Sequence, residues 1–240
     1  NSAGMQRNAD IGLFTKPSTV KAEKGREDGM AVITISRHFG AGGRTLGRRL
    51  AKRLGYFFGD DAVIEEIARK ARVAPHSVES HERKIGSLIS KVVTSAISGN
   101  YIDRLTGEDS GYIDDNSYVE ILSEVVTEFA KTDNVILLGR GGQYILKDFE
   151  NAYHILLVAE KKDRIKFMRT NYGMSEQAAA KTVEQGDKRR NNLYAMFARK
   201  GYDSPMRYHL SLNMSRIGMD KAAELVCSLL EEQQDRKTIS

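Results

Sequence analysis

The arrangement of apolar and polar residues along the chain predicts strands that alternate with helices. Short apolar runs, several of them rich in β-branched residues, recur along the sequence, and most lead into a segment with helical spacing. We predict strands within residues 31–35, 56–59, 134–142, 152–160 and 207–215. Because strands that alternate with helices form parallel sheets covered on both faces, we expect an α/β fold.

The segments between these strands show the three- and four-residue spacing of amphipathic helices. After the first strand, Leu46, Leu50 and Leu54 form one apolar stripe. A second helix is predicted over residues 60–73, with Asp60 placed to cap it. Further predicted helices cover residues 117–131, 161–170, 175–200 and 218–232, and a helical pattern also occurs at Ile85, Leu88, Ile89, Val92 and Val93.

The length and composition of the chain are typical of a protein with one folded core. It has 240 residues, of which 40% are hydrophobic and 29% charged. Residues 1–29 are polar and aperiodic, so we predict a flexible N-terminal arm followed by a single domain over residues 30–240. No apolar run approaches the roughly 20 residues that span a bilayer, and no secretory signal pattern is evident. We therefore expect a cytoplasmic protein without a membrane partner.

The charge of the chain favours anionic partners without choosing among them. The formal net charge is +5 and the isoelectric point is about 9.2. The basic residues are dispersed and match no common recognition motif, which argues against nucleic acid as the partner. The single Cys227 excludes an intramolecular disulfide and a cysteine metal cluster, and the histidines lack the spacing of a zinc site.

Glycine and arginine follow two of the apolar runs. The run at 31–35 leads into Arg37 and the loop 40–43, which has three glycines, and a later run leads into Gly-Arg-Gly-Gly at 139–142. Ligands of parallel α/β sheets bind at the carboxyl ends of the strands. Glycine lets backbone N–H groups approach an anion, and arginine offers a planar fork to phosphate oxygens. Either turn alone could be a tight connection, but the pair predicts a phosphate site.

Four segments share their motifs and their order with a known family. They are residues 34–68, with the loop SRHFGAGGR; 135–146, VILLGRGGQYIL; 187–197, DKRRNNLYAMF; and 208–218, YHLSLNMSRIG. In this combination the chain resembles the cytidylate kinase-like family, a branch of the P-loop nucleoside monophosphate kinases whose loop reads S-R-x-F-G-x-G-G-R. The resemblance extends over about residues 31–232.

This resemblance implies a fold and an activity. The fold is the three-layer α/β fold of the P-loop nucleoside triphosphate hydrolases, with a parallel sheet, a helical acceptor-binding insertion over about 60–130 and a helical lid over about 171–204. The activity is ATP-dependent phosphoryl transfer with Mg²⁺ as cofactor and a nucleoside monophosphate, first CMP or dCMP, as acceptor. Nucleotide substrates are then the expected partners, and the oligomeric state stays open.

By the same resemblance, the donor nucleotide lies on the first glycine loop and near the turn after the last strand. The residues that this implies for ATP are Gly40, Ala41, Gly42, Gly43, Arg44, Thr45, Asn213 and Arg216. Gly43 stands where ordinary cytidylate kinases carry the loop lysine, so a cation is missing from the β- and γ-phosphates. Arg37 and Arg44 are the nearest replacements, and we favour Arg37 because Arg44 begins the predicted helix.

The resemblance also implies the acceptor side of the site. Arg140 stands where related kinases hold the acceptor nucleotide, and Arg164 and Arg190 stand where they carry lid arginines that close over the transferring phosphoryl group. With Arg37 these are the predicted catalytic residues, and Arg140 and Asp60 are the predicted acceptor-binding residues. Because the lid region is basic enough to be a solvated helix face, both interpretations of its arginines stay open.

Two departures from the family pattern bear on catalysis. The loop lysine is missing, and Gly141 replaces the aspartate that follows the acceptor arginine in related kinases, so no metal ligand is assigned. Asp60 or Asp61 could supply the lost carboxylate, although a helix cap explains Asp60 equally well. A nucleotide sensor of the same fold is therefore one alternative. A kinase for another small acceptor is a second, because residues 75–111 do not match the cytidylate pattern.

Overall fold

The computed structural model describes residues 31–84, 114–132, 134–198 and 201–239. The predicted arm at residues 1–29 and the helical pattern from Ile85 to Val93 lie outside these ranges.

Five parallel strands in the described part of the chain form one sheet. They are β1 (Val32–Arg37), β2 (Phe57–Phe58), β3 (Val135–Leu138), β4 (Ala152–Val158) and β5 (Leu210–Asn213), in the spatial order β2-β3-β1-β4-β5. Val32 of β1 pairs in register with Val135 of β3 and with Ala152 of β4. Because β1 is central, the loops after β1, β3 and β4 meet at one edge of the sheet.

The described ranges contain eight α-helices, seven between the strands and one after the last strand. They are α1 (Gly43–Leu54), α2 (Asp60–Ala71), α3 (Pro75–Lys84), α4 (Asp115–Lys131), α5 (Gly142–Ile145), α6 (Lys161–Tyr172), α7 (Glu176–Phe197) and α8 (Met219–Ile239). The side chains of Asp114 and Ser175 cap α4 and α7 by accepting backbone N–H groups. Left-handed glycines, Gly55 and Gly173, end α1 and α6.

Helices cover both faces of the sheet, so the molecule has the three layers that the sequence predicts. On one face, Ile33 and Ile35 pack with buried residues of α1 and α8, among them Leu50 and Val226. On the other face, Val32 and its neighbours pack with buried residues of α2 and α4: Val63, Ile67, Leu122 and Val125. Full burial of one such aliphatic side chain stabilises the fold by about 1.5–3 kcal/mol. These two cores hold the strand ends in fixed positions.

Several predicted boundaries differ from the structure, and three of the differences have a local cause in the backbone. β3 ends at Leu138, because the next three residues take positive φ angles of 69°, 49° and 74°, which a strand cannot continue through. β5 begins at Leu210, because Pro205–Arg207 form a 3₁₀ turn. α7 ends at Phe197, where Ala198 returns to an extended conformation.

The prediction that Asp60 caps α2 is wrong. Gly59 holds the cap position, and Asp60 is the first residue of the helix. Its carboxylate is buried and pairs with arginines from two other elements. The capping pattern in the sequence therefore coincides with a different role.

The sequence predicts that the chain has no membrane-spanning segment, and helix length and hydropathy bear on this prediction. In the ranges that the structure describes, none of the helices combines the length and the apolar character needed to cross a bilayer.

Candidate functional site

The loop between β1 and α1 contains glycines with positive φ angles and ends at the start of a helix. Gly40 and Gly42 take positive φ angles of 86° and 87°, a conformation that is open to glycine and strained for other residues. Gly42 is the N-cap of α1 and provides no side-chain cap. An uncapped helix N-terminus attracts anions, because its first N–H groups lack intrahelical partners and carry the positive end of the helix dipole.

The side chain of Arg37 lies between the two glycine turns. A Cβ atom on Gly43 would lie 3.0 Å from Cγ of Arg37, and one on Gly139 would overlap Nη1 of the guanidinium. Glycine at both positions therefore leaves room for the arginine. Burial lowers the pKa of Arg37 from its ordinary value, and the nearby charges of Arg140 and Arg190 act in the same direction.

Within the described residues, the Arg37 guanidinium forms no hydrogen bond or ion pair. The interactions that reach it are longer-range, and those from Tyr194 and Asp60 favour its charged form. Arg37 is partly exposed, and a partly desolvated cation without a directly bound partner is stabilised when an anion binds to it. The position between two glycine turns therefore suits an anionic ligand.

Two acidic residues hold Arg140 in the second glycine turn. Its Nε donates a hydrogen bond to Glu82 of α3 at 2.8 Å, and its Nη1 donates to the carbonyl and carboxylate of Asp60 at 2.9 and 3.0 Å. Although burial opposes the charge, the Glu82 carboxylate raises the pKa of Arg140 above its ordinary value. Tyr118 of α4 donates its hydroxyl to the same Glu82 oxygen at 2.7 Å. The guanidinium is thus fixed in orientation.

Asp60 connects this turn to the start of α1. Its Oδ2 lies 2.5 Å from Nη2 of Arg44, and Asp61 lies 3.5 Å from the same nitrogen. Arg44, which the resemblance assigns to the donor nucleotide, therefore extends toward α2 and Arg140.

The helix α7 lies within the predicted lid, and we call it the lid helix for that prediction. It contacts the first glycine loop directly. A Cβ atom on Gly186 would overlap the Phe39 ring, so this glycine allows the close approach. Asp187 accepts the Phe39 N–H at 2.9 Å and the Nη1–H of Arg164 at 2.6 Å. Arg164 also donates to the carbonyls of Ala159 and Phe39, at 3.1 and 3.0 Å. Arg164 therefore connects the lid helix to the loop by donating hydrogen bonds to both.

Arg190 extends from the lid helix beside Tyr194. Its guanidinium pairs with Asp203 and its Cζ lies 4.8 Å from the centre of the Tyr194 ring, within the range of a cation–π contact. Nε of Arg190 is buried and has no hydrogen-bond partner among the described residues. His38 lies 3.4 Å from Asp203, and burial, followed by the charges of Arg190 and Arg164, lowers its pKa.

A cavity of about 450 Å³, which we call the arginine cavity, opens between α2, α3 and the lid helix. Basic and acidic side chains both line it: the basic ones are Arg37, Arg44, Arg83, Arg140, Arg189 and Arg190, and the acidic ones are Asp60, Asp61, Glu79 and Glu82. The mixture suits a ligand with an anionic group at one end and hydrogen-bond donors elsewhere.

A smaller cavity of about 190 Å³, which we call the apolar cavity, lies against the first glycine loop. Gly40 and Ala41 form one wall, and Phe167, Met214, Ile217 and Met219 are among the residues that form the rest. A Cβ atom on Gly42 would lie 2.7 Å from Cε of Met219, so glycine is needed for this packing. Apolar walls beside a loop whose geometry suits an anion are compatible with the base of a nucleotide.

The structure distributes the predicted residues over these two cavities. Arg37, Arg140 and Arg190 line the arginine cavity, whereas Arg164 lines the apolar cavity. Thr45 lies in the first turn of α1. Asn213 and Arg216 line neither cavity; Asn213 accepts the Ser215 N–H at 3.0 Å, and the neighbouring Met214 and Ile217 form the cavity wall instead.

Sequence reasoning missed several residues of the site. Glu82 and Tyr118 lie outside the four family-like segments, and the fold brings them to Arg140 from α3 and α4. No local pattern signals either of them. Phe167 is different, because an aromatic residue on the largely polar helix α6 was a visible signal for a special surface.

The described residues offer no enclosed metal site. They contain no group of three or more His, Cys, Asp or Glu side chains that could hold an ion. Asp60, the candidate carboxylate, already pairs with Arg44 and Arg140. Mg²⁺ binds readily through substrate phosphates, waters and one or two carboxylates, so it does not need such a group. The side chains described here therefore fit a metal that arrives on a ligand better than a resident one.

Most of the chain matches the model of one protein family. The model of the cytidylate kinase-like family matches residues 32–216. The chain belongs to the cytidylate kinase-like family. This confirms the resemblance found in the sequence, and it supports phosphoryl transfer as the general class of chemistry. No curated protein sequence matches the chain.

Two solved structures share the fold at low sequence identity. One, an uncharacterized protein from Eubacterium ventriosum, superposes with a TM-score of 0.60 at 15% identity, over 84% of this chain and 98% of that one. The other, a gluconokinase from Sinorhizobium meliloti, has a TM-score of 0.50 at 11% identity, over 87% of this chain and 96% of that one. With the parallel five-stranded sheet, these similarities confirm the three-layer α/β fold of P-loop kinases.

Proposed function

We propose that the protein transfers the γ-phosphoryl group of ATP to a nucleoside monophosphate, with CMP or dCMP as the first candidate. The observation that carries the proposal is the environment of Arg37. Its guanidinium lies between the two glycine turns, beside Arg140 and Arg190, and has no direct partner among the described residues. Phosphoryl transfer depends on positioned positive charge around the transferring group, and this arrangement supplies it.

The two cavities divide the substrates. The apolar cavity takes the adenine, and the N–H groups of the adjacent glycine loop and the start of α1 bind the phosphates. The arginine cavity takes the acceptor, whose phosphate lies against Arg140 with Arg37 between donor and acceptor. Mg²⁺ would be held by the ATP phosphates and by waters, and it would neutralise part of the phosphate charge. No general base is needed, because the acceptor phosphate oxygen is already ionised near neutral pH.

A substrate panel tests the proposal. The purified protein is assayed with ATP and Mg²⁺ against CMP, dCMP, UMP, AMP and GMP. We expect turnover of at least one monophosphate, with a cytidine nucleotide preferred. Arg37→Ala removes the central cation and should lower kcat by about 10²–10³-fold, the usual cost of losing one group that stabilises transition-state charge.

Two matched variants make the result specific. Arg37→Lys keeps the charge without the planar fork and should recover part of the loss. Arg48→Ala removes an exposed arginine of α1 and should leave kcat unchanged. Failure to phosphorylate any of the five monophosphates would contradict the proposal. ATP binding measured by calorimetry, without turnover, would then favour the nucleotide sensor.

A further inference from the structure

A third cavity lies on the face of the sheet opposite α1, beside β4 and β5. Its volume is about 340 Å³, and its lining includes Gln143, Lys147, His154, Arg207, Tyr208 and His209. None of these side chains lines the arginine cavity or the apolar cavity. We call it the histidine cavity.

A buried amide in the histidine cavity has an unused donor. Gln143 is 2% exposed, and its Oε1 accepts a hydrogen bond from Ser36 Oγ at 2.8 Å. Its Nε2 has no hydrogen-bond partner among the described residues. The hydroxyl of the neighbouring Tyr144 lies near this amide, but the two groups do not have the geometry of a hydrogen bond. A buried N–H₂ group without an acceptor is unfavourable, so a ligand that supplies one is favoured.

The imidazole rings of the histidine cavity add a further donor. Nδ1 of His209 accepts the backbone N–H of His154 at 2.9 Å, so the neutral ring carries its proton on Nε2. Nδ1 of His154 pairs with the Thr34 hydroxyl at 2.8 Å. Burial lowers the pKa of both histidines, that of His154 to about 4, so both rings are neutral near pH 7.

Two cations complete the lining. Lys147 and Arg207 border the cavity, and the described lining contains no acidic side chain. Lys147 Nζ has an exposed neighbour, Asp148, at 3.7 Å, and the Cζ atom of Arg207 lies 5.2 Å from the centre of the Tyr144 ring. Donors and positive charge thus converge where carboxylates are lacking, which is the chemistry that recognises an oxyanion.

We propose that the histidine cavity binds a small metabolite through its phosphate or carboxylate group, at a site separate from the nucleotide site. The oxyanion accepts from Nε2 of Gln143 and lies between Lys147 and Arg207. The rest of the metabolite occupies the remaining space beside Tyr208 and His209.

The same amide links this site to the lid helix. Ser36, which donates to Gln143, is also 3.1 Å from the Tyr194 hydroxyl, and Arg190 lies over the Tyr194 ring. A ligand that draws on Gln143 therefore changes the hydrogen bonding of a residue that supports Arg190. Binding in the histidine cavity should in turn alter the affinity for nucleotide, and the reverse.

Nuclear magnetic resonance of the histidine rings tests the proposal independently of kinase activity. The ¹⁵N-labelled protein is titrated at pH 7 with sodium phosphate and, separately, with sodium succinate, at constant ionic strength. A His209→Gln variant assigns the His209 signal. We expect this signal to move and saturate, and the pKa of His209 to rise as the anion binds. The His38 signal reports the nucleotide site separately.

Matched double variants decide whether anion binding in the histidine cavity causes the shift of the His209 signal. Lys147→Ala/Arg207→Ala should weaken the response of His209 at least tenfold. Lys52→Ala/Arg53→Ala removes the same charge from exposed positions of α1, on the opposite face of the sheet. This control should leave the response of His209 unchanged. A response to phosphate alone or to succinate alone supports the site and identifies the oxyanion. Movement of His38 alone, no movement with either anion, or equal affinity in both double variants would overturn the proposal.

Discussion

The Tyr118 hydroxyl is the buried end of the hydrogen-bonded group that orients Arg140. Burial raises the pKa of Tyr118 well above its ordinary value, so the phenol stays neutral and donates to Glu82. Tyr118→Phe removes this donor and leaves Glu82 with less support. We expect the free energy of unfolding to fall by about 1–3 kcal/mol, and KM for the acceptor to rise more than kcat falls. Urea denaturation and steady-state kinetics measure the two effects.

Tyr172→Phe, at a position that is 52% exposed, is the control. An unchanged KM for the acceptor in Tyr118→Phe would refute the positioning role of Tyr118.

At the scale of elements, the contact between the lid helix and the glycine loop depends on Gly186, because only a residue without a side chain fits there. Gly186→Ala places a methyl group in the Phe39 ring, so the loop and the lid helix must separate. We expect the free energy of unfolding to fall by about 1–3 kcal/mol, as overpacking usually costs, and cleavage of α7 by protease to become faster. In Gly218→Ala the new methyl meets open space, and a much smaller change is expected. Equal stability of the two variants would show that the contact contributes little.

The elements were more predictable from the sequence than the contacts between them. The apolar stripe of α1 and the inward residues of α8 are local patterns, and the structure buries Leu46, Leu50 and Val226 as their spacing indicates. The capping prediction for Asp60 is wrong because its carboxylate pairs with Arg44 and with Arg140, and Arg140 lies 80 residues away in sequence. Nothing near Asp60 distinguishes a capping carboxylate from one that pairs across the fold. The predicted arginines belong to motifs that the sequence displays, whereas Glu82 and Tyr118 belong to none.

At the scale of the whole molecule, a buried neutral histidine makes stability depend on pH. The pKa of His154 is lowered to about 4 by burial and by His209, against about 6.5 in an unfolded chain. Between these values the unfolded state binds more protons, so stability falls as the pH drops from 6.5 toward 4 and is fully present above 6.5. Integrated over that range, the contribution is about 3 kcal/mol. Urea denaturation of the wild type and of His154→Gln at pH 7 and pH 5 measures about 2 kcal/mol of this contribution. The variant should lose less stability between the two, and parallel losses would refute the assignment.

The central position of β1 in the sheet determines when the candidate site can form during folding. Ser36 and Thr34 contact residues that lie 107 and 120 positions further along the chain, so Arg37 acquires its neighbours only after these distant strands have joined. No partly folded form that lacks the β1–β3 or β1–β4 pairing contains the site. Amide protons of β1 should therefore exchange with deuterium only through global unfolding, while those of the lid helix exchange through a smaller opening. A nucleotide that binds this site then slows exchange throughout the sheet, including at strands it never touches.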